Sequence, residues 1–179
     1  PNVGQELQVT IDGYLKDLSN HPYLYGAASG ASYNQYMYIR KDSSRWSANF
    51  AGNLYWNNRP IVGERFKIIA NTLDGIRVYD ESGNLVDQSG VGLNGWLITV
   101  DRPIHLLASN KATPSNFANM KLYHAKFEYL NRAGDISTIL ADLYPCIKVA
   151  NGEVGLYDKE NDVFYANAGT GEFIAGPKL

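Results

Sequence analysis

The chain has 179 residues, 45% of them apolar, and a formal net charge of −2. This length is enough for one domain with a buried core and is short for two. The sequence contains neither a cluster of Lys and Arg nor a run of 18 apolar residues, so we expect no nucleic-acid partner and no membrane insertion.

Short runs in which apolar and polar residues alternate follow one another along the chain, which is typical of β-strands. In chain order the runs are LQVTIDGYL, PYLYGAASG, YNQYMYIR, RWSANF, GERFKIIANT, GIRVYD, NLVDQ, GWLITV, PIHLLASN, KLYHAKFEYL, EVGLYD and VFYANAG. Turn residues such as KDSS, LDG, DESG and KEND separate several of them, at a spacing of roughly 8 to 12 residues. The pattern predicts an all-β fold, a two-sheet antiparallel β-sandwich.

At most one short helix is expected. The segment Ile136 to Tyr144 has apolar residues at positions 136, 139, 140 and 143, a spacing that also fits one face of a helix. Pro145 would end such a helix, and its β-branched residues favour a strand. The sequence contains one cysteine, Cys146, which excludes an internal disulfide and which we expect to be a small buried residue. With no linker or repeat in the series of strands, we expect residues 1–179 to be a single domain. The start at Pro1 rather than Met suggests a domain excised from a longer protein, and processing of the N-terminus is the alternative explanation.

The hairpin formed by YNQYMYIR and RWSANF is the first candidate site. With KDSS (residues 41–44) as the turn, Arg40 lies opposite Arg45, and side chains alternate between the two faces. One face is apolar, and we assign it to the core. The other face carries Tyr36, Tyr38, Arg40, Arg45, Ser47 and Asn49. Tyrosines can pack against sugar rings while Arg and Asn bind vicinal hydroxyls, so this face is a candidate saccharide-binding surface, although tyrosines are also good strand formers.

A second cluster lies in LYWNNRP, just after that hairpin. It places aromatic, amide and guanidinium groups next to one another: Tyr55, Trp56, Asn57 and Arg59. An exposed Trp beside amides can stack on a sugar, but Trp56 can equally close one end of the sandwich. Trp96, in LNGWLITV, is assigned to the core.

Catalytic and metal-binding patterns are missing from the sequence. We find no Glu-x-Asp-x-x-Glu strand motif, no Gly-x-Ser-x-Gly elbow and no phosphate-binding loop. The acids Asp80, Glu81, Asp158, Glu160 and Asp162 lie in predicted turns, where carboxylates act as turn formers. We therefore expect no catalytic residue, no metal ligand and no cofactor; calcium, with Asp and Asn available in NTLDG and DESGN, is a weaker option.

The C-terminal segment resembles a known family. YPCIKVANGEVGLYDKENDVFYANAGTGEFIAGP, residues 144–177, is similar to the C-terminal segment of concanavalin A-like (laminin G-like) jelly-roll domains. Such domains recur in phage tail proteins and bacterial surface proteins. The resemblance is carried by Tyr-Pro-Cys at 144–146, by Gly-Leu-Tyr-Asp at 155–158 and by the residues from Phe164 to Phe173; the first half of the chain matches only in the rhythm of its strands.

The resemblance implies a jelly roll with a non-catalytic role in adhesion or carbohydrate binding. We therefore expect a carbohydrate-binding module of a phage tail or baseplate protein, for example a distal tail protein. It would sit on the virion tail beside other baseplate domains and bind a cell-wall or capsular polysaccharide of a bacterial host. The alternatives are a structural spacer of the virion, an adhesin at a bacterial surface and, less favoured, a glycoside hydrolase.

Overall fold

A computed structural model describes most of the chain, and all regular structure in the described ranges is β-strand. The described residues are 6–19, 21–28, 36–42, 44–50, 53–56, 60–71, 73–90, 104–110, 114–131, 133–167 and 173–175. The strands are β1 (Glu6–Leu15), β2 (Tyr23–Ala28), β3 (Tyr36–Lys41), β4 (Trp46–Phe50), β5 (Asn53–Trp56), β6 (Arg65–Asn71), β7 (Gly75–Asp80), β8 (Leu85–Ser89), β9 (His105–Leu106), β10 (Ser109–Asn110), β11 (Pro114–Ser115), β12 (Met120–Leu130), β13 (Ile136–Ile147), β14 (Val154–Asp158) and β15 (Val163–Ala166). Within these ranges no helix is long and apolar enough to cross a bilayer.

The strands form two antiparallel sheets. The larger sheet has eight strands in the order β15-β14-β13-β12-β1-β6-β7-β8, and the smaller has five in the order β5-β4-β3-β2-β9. Strands β10 and β11 make a separate two-stranded ribbon. The predicted all-β, two-sheet antiparallel β-sandwich is thereby confirmed.

The core lies between the two sheets and is built by residues that alternate along each strand. In the larger sheet Ile11 is paired with Ile68 and Ala125, and these side chains are fully buried. In the smaller sheet Ile39 is paired with Ala48, and both are fully buried. The rings of Tyr25 and Phe127 meet edge to face at 5.9 Å. Burying each large aliphatic side chain stabilises the fold by about 1.5–3 kcal/mol, so this alternation holds the sheets together.

The hairpin of β3 and β4 has a different register from the predicted one. Arg40 pairs with Ser47 rather than with Arg45, and Lys41 pairs with Trp46. The reason is that Asp42, a good turn former, begins the connection and its amide donates to the Arg45 carbonyl at 2.8 Å. The pairing is offset by two residues. An even offset leaves each side chain on its predicted face, so the division of the hairpin into two faces holds.

The segment after residue 135 is extended, so the helical alternative for residues 136–144 is wrong. Strand β13 continues through Pro145, which pairs with Leu156 of β14. The pairing of β13 with β12 ends at Leu143. Proline has no backbone N–H to donate, and among the described residues no residue of β12 is paired with Pro145, so no hydrogen bond between these two strands is lost. Cys146 is partly exposed rather than buried, because it follows Pro145 in this less covered part of the strand.

Candidate functional site

A polar cleft lies beside the turn between β3 and β4. It has a volume of about 460 Å³. Strand β3, the turn, the residues before β2 and the residues after β11 all contribute to its lining. The lining residues are His21, Tyr23, Arg40, Asp42, Ser44, Arg45 and Asn116. Two guanidinium groups, a phenol, a carboxylate, a hydroxyl, an imidazole and an amide thus surround one open volume.

Arg40 is held in place by three neighbours. Its Nη1 donates to the Tyr23 hydroxyl at 2.8 Å, and its Nη2 lies 3.0 Å from Oδ1 of Asp42. Its guanidinium carbon lies 4.9 Å from the centroid of the Tyr38 ring. Burial by itself lowers the pKa of Arg40. The hydrogen bond to Tyr23 and the nearby Asp42 together raise the pKa by more than burial lowers it, so the net shift is upward. Arg40 is therefore a fixed positive charge with a defined orientation.

Arg45 contacts an aromatic ring of the neighbouring strand. Its guanidinium carbon lies 3.6 Å from the centroid of the Tyr55 ring, which is 39% exposed. Among the described residues, no carboxylate lies within 4.0 Å of this guanidinium. A contact with the face of a ring uses none of the guanidinium N–H groups as conventional hydrogen-bond donors. Arg45 can thus donate hydrogen bonds to a molecule that enters the cleft.

The backbone beside the cleft adopts an uncommon conformation at two positions. His21 has a φ of 49° and Asn116 a φ of 53°, both in the left-handed region. Hydrogen bonds hold these segments: the Tyr23 amide donates to the Asn116 carbonyl at 3.0 Å, and the Lys41 amide donates to the Pro22 carbonyl at 3.0 Å. Left-handed non-glycine residues are uncommon and concentrate at functional sites. The cleft wall is therefore built from a constrained backbone.

The predicted saccharide-binding face of the hairpin is largely closed. Tyr38 is 9% exposed and Asn49 is fully buried, as is their neighbour Ser47. The Arg40 guanidinium lies over the Tyr38 ring, and Asp42 accepts a hydrogen bond from the Ser47 hydroxyl. The prediction that Tyr38 and Asn49 offer their side chains to solvent is therefore wrong, because the polar groups at the turn fold back over this face.

The cluster in LYWNNRP is divided in the same way. Trp56 lies in β5, is 3% exposed and stacks on Trp46 with ring centroids 6.1 Å apart. The prediction that Trp56 is exposed and stacks on a sugar is wrong. The alternative prediction, that Trp56 is buried and closes one end of the sandwich core, agrees with its burial. Tyr55, the preceding residue, is exposed on the other face. Asn57, Arg59 and Trp96 lie outside the described residues, as does the side chain of Tyr36.

Of the predicted site residues, Arg40 and Arg45 line the cleft, and Tyr55 lies beside it through its contact with Arg45. The sequence reading missed His21, Tyr23, Asp42, Ser44 and Asn116. Tyr23 could have been considered, since it lies in the predicted strand that directly precedes the hairpin in the chain. Asn116 carries no local signal, because it reaches the cleft only through pairing between distant segments.

The described residues contain no group of three or more His, Cys, Asp or Glu side chains that could hold a metal ion. The acids considered for calcium serve turns instead. Asp80 accepts hydrogen bonds from the amide and the side-chain nitrogen of Asn84, at 2.8 and 3.0 Å. Asp74 is paired with Arg77 at 2.6 Å. The predicted role of Asp80 as a turn former is thus confirmed. The same prediction is confirmed for Asp158, which accepts hydrogen bonds from amides of the 159–161 turn.

A smaller cleft of about 350 Å³ lies on the larger sheet and is lined by Asp12, Asp80 and Glu81 with several neighbours. Asp12 is engaged by Arg65, whose Nε and Nη2 donate to its two oxygens at 3.0 and 2.9 Å. Asp80 is engaged by its own turn. Both of these carboxylates already accept hydrogen bonds from protein groups. The cleft beside β3 and β4 is therefore the better candidate for a ligand-binding site.

Comparison of the chain with protein-family models, curated proteins and solved structures finds no match. The class of protein, an all-β sandwich, is defined by the fold alone. The resemblance to concanavalin A-like domains stays a prediction from the sequence.

Proposed function

We propose that this β-sandwich is a non-catalytic carbohydrate-binding domain of a phage tail or baseplate protein, and that it binds a cell-wall or capsular saccharide of a bacterial host. The observation that carries the proposal is the cleft lined by Arg40, Arg45 and Tyr23, with Tyr55 in contact with Arg45 beside it. The assignment to a phage tail rests on the resemblance of the C-terminal segment.

The chemistry of the cleft suits a sugar. Vicinal hydroxyls accept hydrogen bonds from a guanidinium and donate them to a carboxylate, and they can do either with amide and hydroxyl groups. All of these groups line the cleft. The exposed Tyr55 ring adds an apolar surface beside the guanidinium of Arg45. Since each protein hydrogen bond replaces one to water, we expect weak binding, with a Kd of about 10⁻³ to 10⁻⁵ M per site. Many copies on one particle would strengthen attachment by avidity.

Two observations support a binding role over hydrolysis. Glycosidases of the common type use two carboxyl groups on either side of the scissile bond. In the described part of the chain, the cleft beside β3 and β4 is lined by one carboxylate, Asp42, and that group already contacts Arg40 and Ser47. In the smaller cleft, Asp12 and Asp80 are engaged by Arg65 and Asn84.

The first experiment is binding of a fluorescent fusion of the domain to intact Gram-positive cells and to their purified wall polysaccharide. We expect saturable binding that the free polysaccharide competes away. The variant Arg45→Ala should weaken binding without unfolding the protein, whereas the control Arg77→Ala, on β7 of the larger sheet, should bind normally. Absence of binding across a broad panel of hosts would overturn the proposal, and soluble sugar released during the incubation would revive the hydrolase.

A structural spacer is the second candidate, and one observation favours it. At the β13–β15 end of the larger sheet, three apolar side chains are 39–48% exposed: Ile147, Val163 and Tyr165. Pairing places Tyr165 beside Leu156 and Val163 beside Asp158, both of which are buried. These strands thus extend the core-facing side of the larger sheet into solvent, where another domain of the same particle could pack.

A further inference from the structure

We infer that the saccharide taken by the cleft is acidic, with a carboxylate or phosphate group seated between Arg40 and Arg45. The inference rests on the proposed function and specifies its ligand class. It follows from the charge balance of the cleft, from the accessible terminal N–H groups of Arg40 and from the way the two guanidinium groups are held.

The charges in the cleft do not balance. Among the described residues, two guanidinium groups line it against one carboxylate, that of Asp42, which lies 3.0 Å from Arg40. Arg45 has no carboxylate partner among the described residues and contacts the Tyr55 ring instead. Lys41 adds a further positive charge at the turn, because its ammonium donates to the Asp42 carbonyl at 2.9 Å. A neutral sugar would leave this excess positive charge without a counterpart, whereas an anionic group would neutralise it.

The terminal nitrogens of Arg40 are the donors that a ligand can reach. Each contacts one neighbour, Tyr23 or Asp42, and each carries a second N–H group, while the side chain is 32% exposed. The Nε is buried and lies out of reach of a ligand in the cleft. An anionic oxygen forms a shorter and stronger bond with a charged donor than a neutral hydroxyl does.

The two arginines are presented differently, and both presentations suit an oxyanion. Contacts with Tyr23 and Asp42 hold the terminal nitrogens of Arg40, while Arg45 contacts the Tyr55 ring and has no carboxylate partner among the described residues. Guanidinium groups match carboxylates and phosphates through two parallel N–H···O bonds, a geometry that a lysine ammonium does not reproduce. Carboxylate and phosphate share this chemistry, and the experiment separates them.

The test follows the Arg Nε–H signals of the intact domain by NMR during titration with three probes, each up to about 50 mM because affinities near 10⁻³ M are expected. The probes are galacturonate, its neutral methyl ester and glycerol 1-phosphate. We expect saturable shifts of the Arg40 and Arg45 signals with galacturonate, with glycerol 1-phosphate, or with both, and none with the ester. Whichever anion binds more tightly identifies the acidic group.

Variants make the result specific. Arg45→Gln should weaken binding of the effective anion about tenfold, and Arg45→Lys should weaken it less, because the charge is kept while the fork is lost. Arg77→Gln, on β7, should bind as the unmodified domain does. All three changes are at exposed or partly exposed arginines, so a folded spectrum is expected for each.

The outcomes separate this inference from the function on which it rests. Equal shifts with galacturonate and its ester, or no shift with either anion, would overturn the acidic ligand. If the domain still bound wall polysaccharide, the proposed function would stand with a neutral sugar. If it bound no wall polysaccharide at all, the proposed function itself would fail, whatever the small probes did.

Discussion

The guanidinium of Arg45 lies 3.6 Å from the centre of the Tyr55 ring, joining the turn after β3 to strand β5. This contact orients Arg45 toward the cleft, so we expect Tyr55→Ala to weaken saccharide binding by several-fold. Tyr55→Phe, which keeps the ring, should bind nearly normally. An exposed cation–π pair contributes only about 0.5–1 kcal/mol, so neither change should unfold the domain. Binding to wall polysaccharide checks this, and equal loss in both variants would contradict it.

Tyr23 positions the second arginine. Its hydroxyl accepts a hydrogen bond from Arg40 Nη1 at 2.8 Å, and its ring meets the Tyr38 ring edge to face at 5.7 Å. Tyr23→Phe removes the hydroxyl and keeps the ring, so we expect a stability loss of about 1 kcal/mol with a larger effect on binding than on folding. Urea unfolding and a binding titration measure the two effects. Tyr165→Phe, at an exposed position, is the control.

Asp158 is the most strongly bound carboxylate of the C-terminal hairpin. It is fully buried and accepts bonds from the amides of Asp142, Glu160 and Asn161 and from the Asn161 side chain, at 2.8–3.4 Å. Asp158→Asn replaces one carboxylate oxygen by an NH₂ group, which cannot accept the hydrogen bonds that these N–H groups donate. We therefore expect a loss of about 1–3 kcal/mol in the free energy of unfolding at neutral pH.

The same group predicts a pH dependence. Burial alone raises the pKa of Asp158, but its hydrogen bonds lower it by more, so the folded pKa lies below the usual value of 3.8. A lowered pKa stabilises the fold above the unfolded value, and this contribution is lost as the pH falls below about 4. The stability difference between the unmodified domain and Asp158→Asn should therefore shrink from pH 7 to pH 3. A constant difference would contradict this account.

Gly155 is required by a close approach of two strands. A Cβ at this position would lie 2.4 Å from the Tyr165 carbonyl oxygen and 2.5 Å from the Phe164 ring. Because a carbonyl in a paired strand cannot move freely, Gly155→Ala should separate β14 from β15 locally and cost about 1–3 kcal/mol. Chemical denaturation measures the loss. Thr138→Ala, at an exposed position of β13, should stay within about 0.5 kcal/mol of the unmodified domain.

Trp46 joins the core to the segment after β5. Its indole nitrogen donates to the Pro60 carbonyl at 2.9 Å, and its ring is 1% exposed and stacked on Trp56. Trp46→Phe leaves that carbonyl without its donor and creates a small cavity, so we expect a loss of about 2–4 kcal/mol in thermal or urea unfolding. A loss below that of Tyr23→Phe would show that the hydrogen bond contributes little.

The sequence by itself determined the strands and the class of fold. Alternation in GERFKIIANT and GIRVYD predicts β6 and β7 closely, because the side chains of successive strand residues point to opposite faces. The turn acids Asp80 and Asp158 were also predictable, since a short carboxylate bonds nearby amides in any hairpin. These features depend on neighbours in the chain, which a sequence displays directly.

Only the tertiary structure decided which of the predicted site residues remain accessible. Tyr38 and Arg40 lie on the same face of one strand, yet Tyr38 is covered and Arg40 lines the cleft, because the guanidinium folds over the ring. The cleft also needs Asn116, which hydrogen bonding brings next to Tyr23 from 93 positions further along the chain. Accessibility depends on what packs over a side chain, and long-range pairing supplies that cover, so a local pattern can predict a face of a strand but not whether that face stays open.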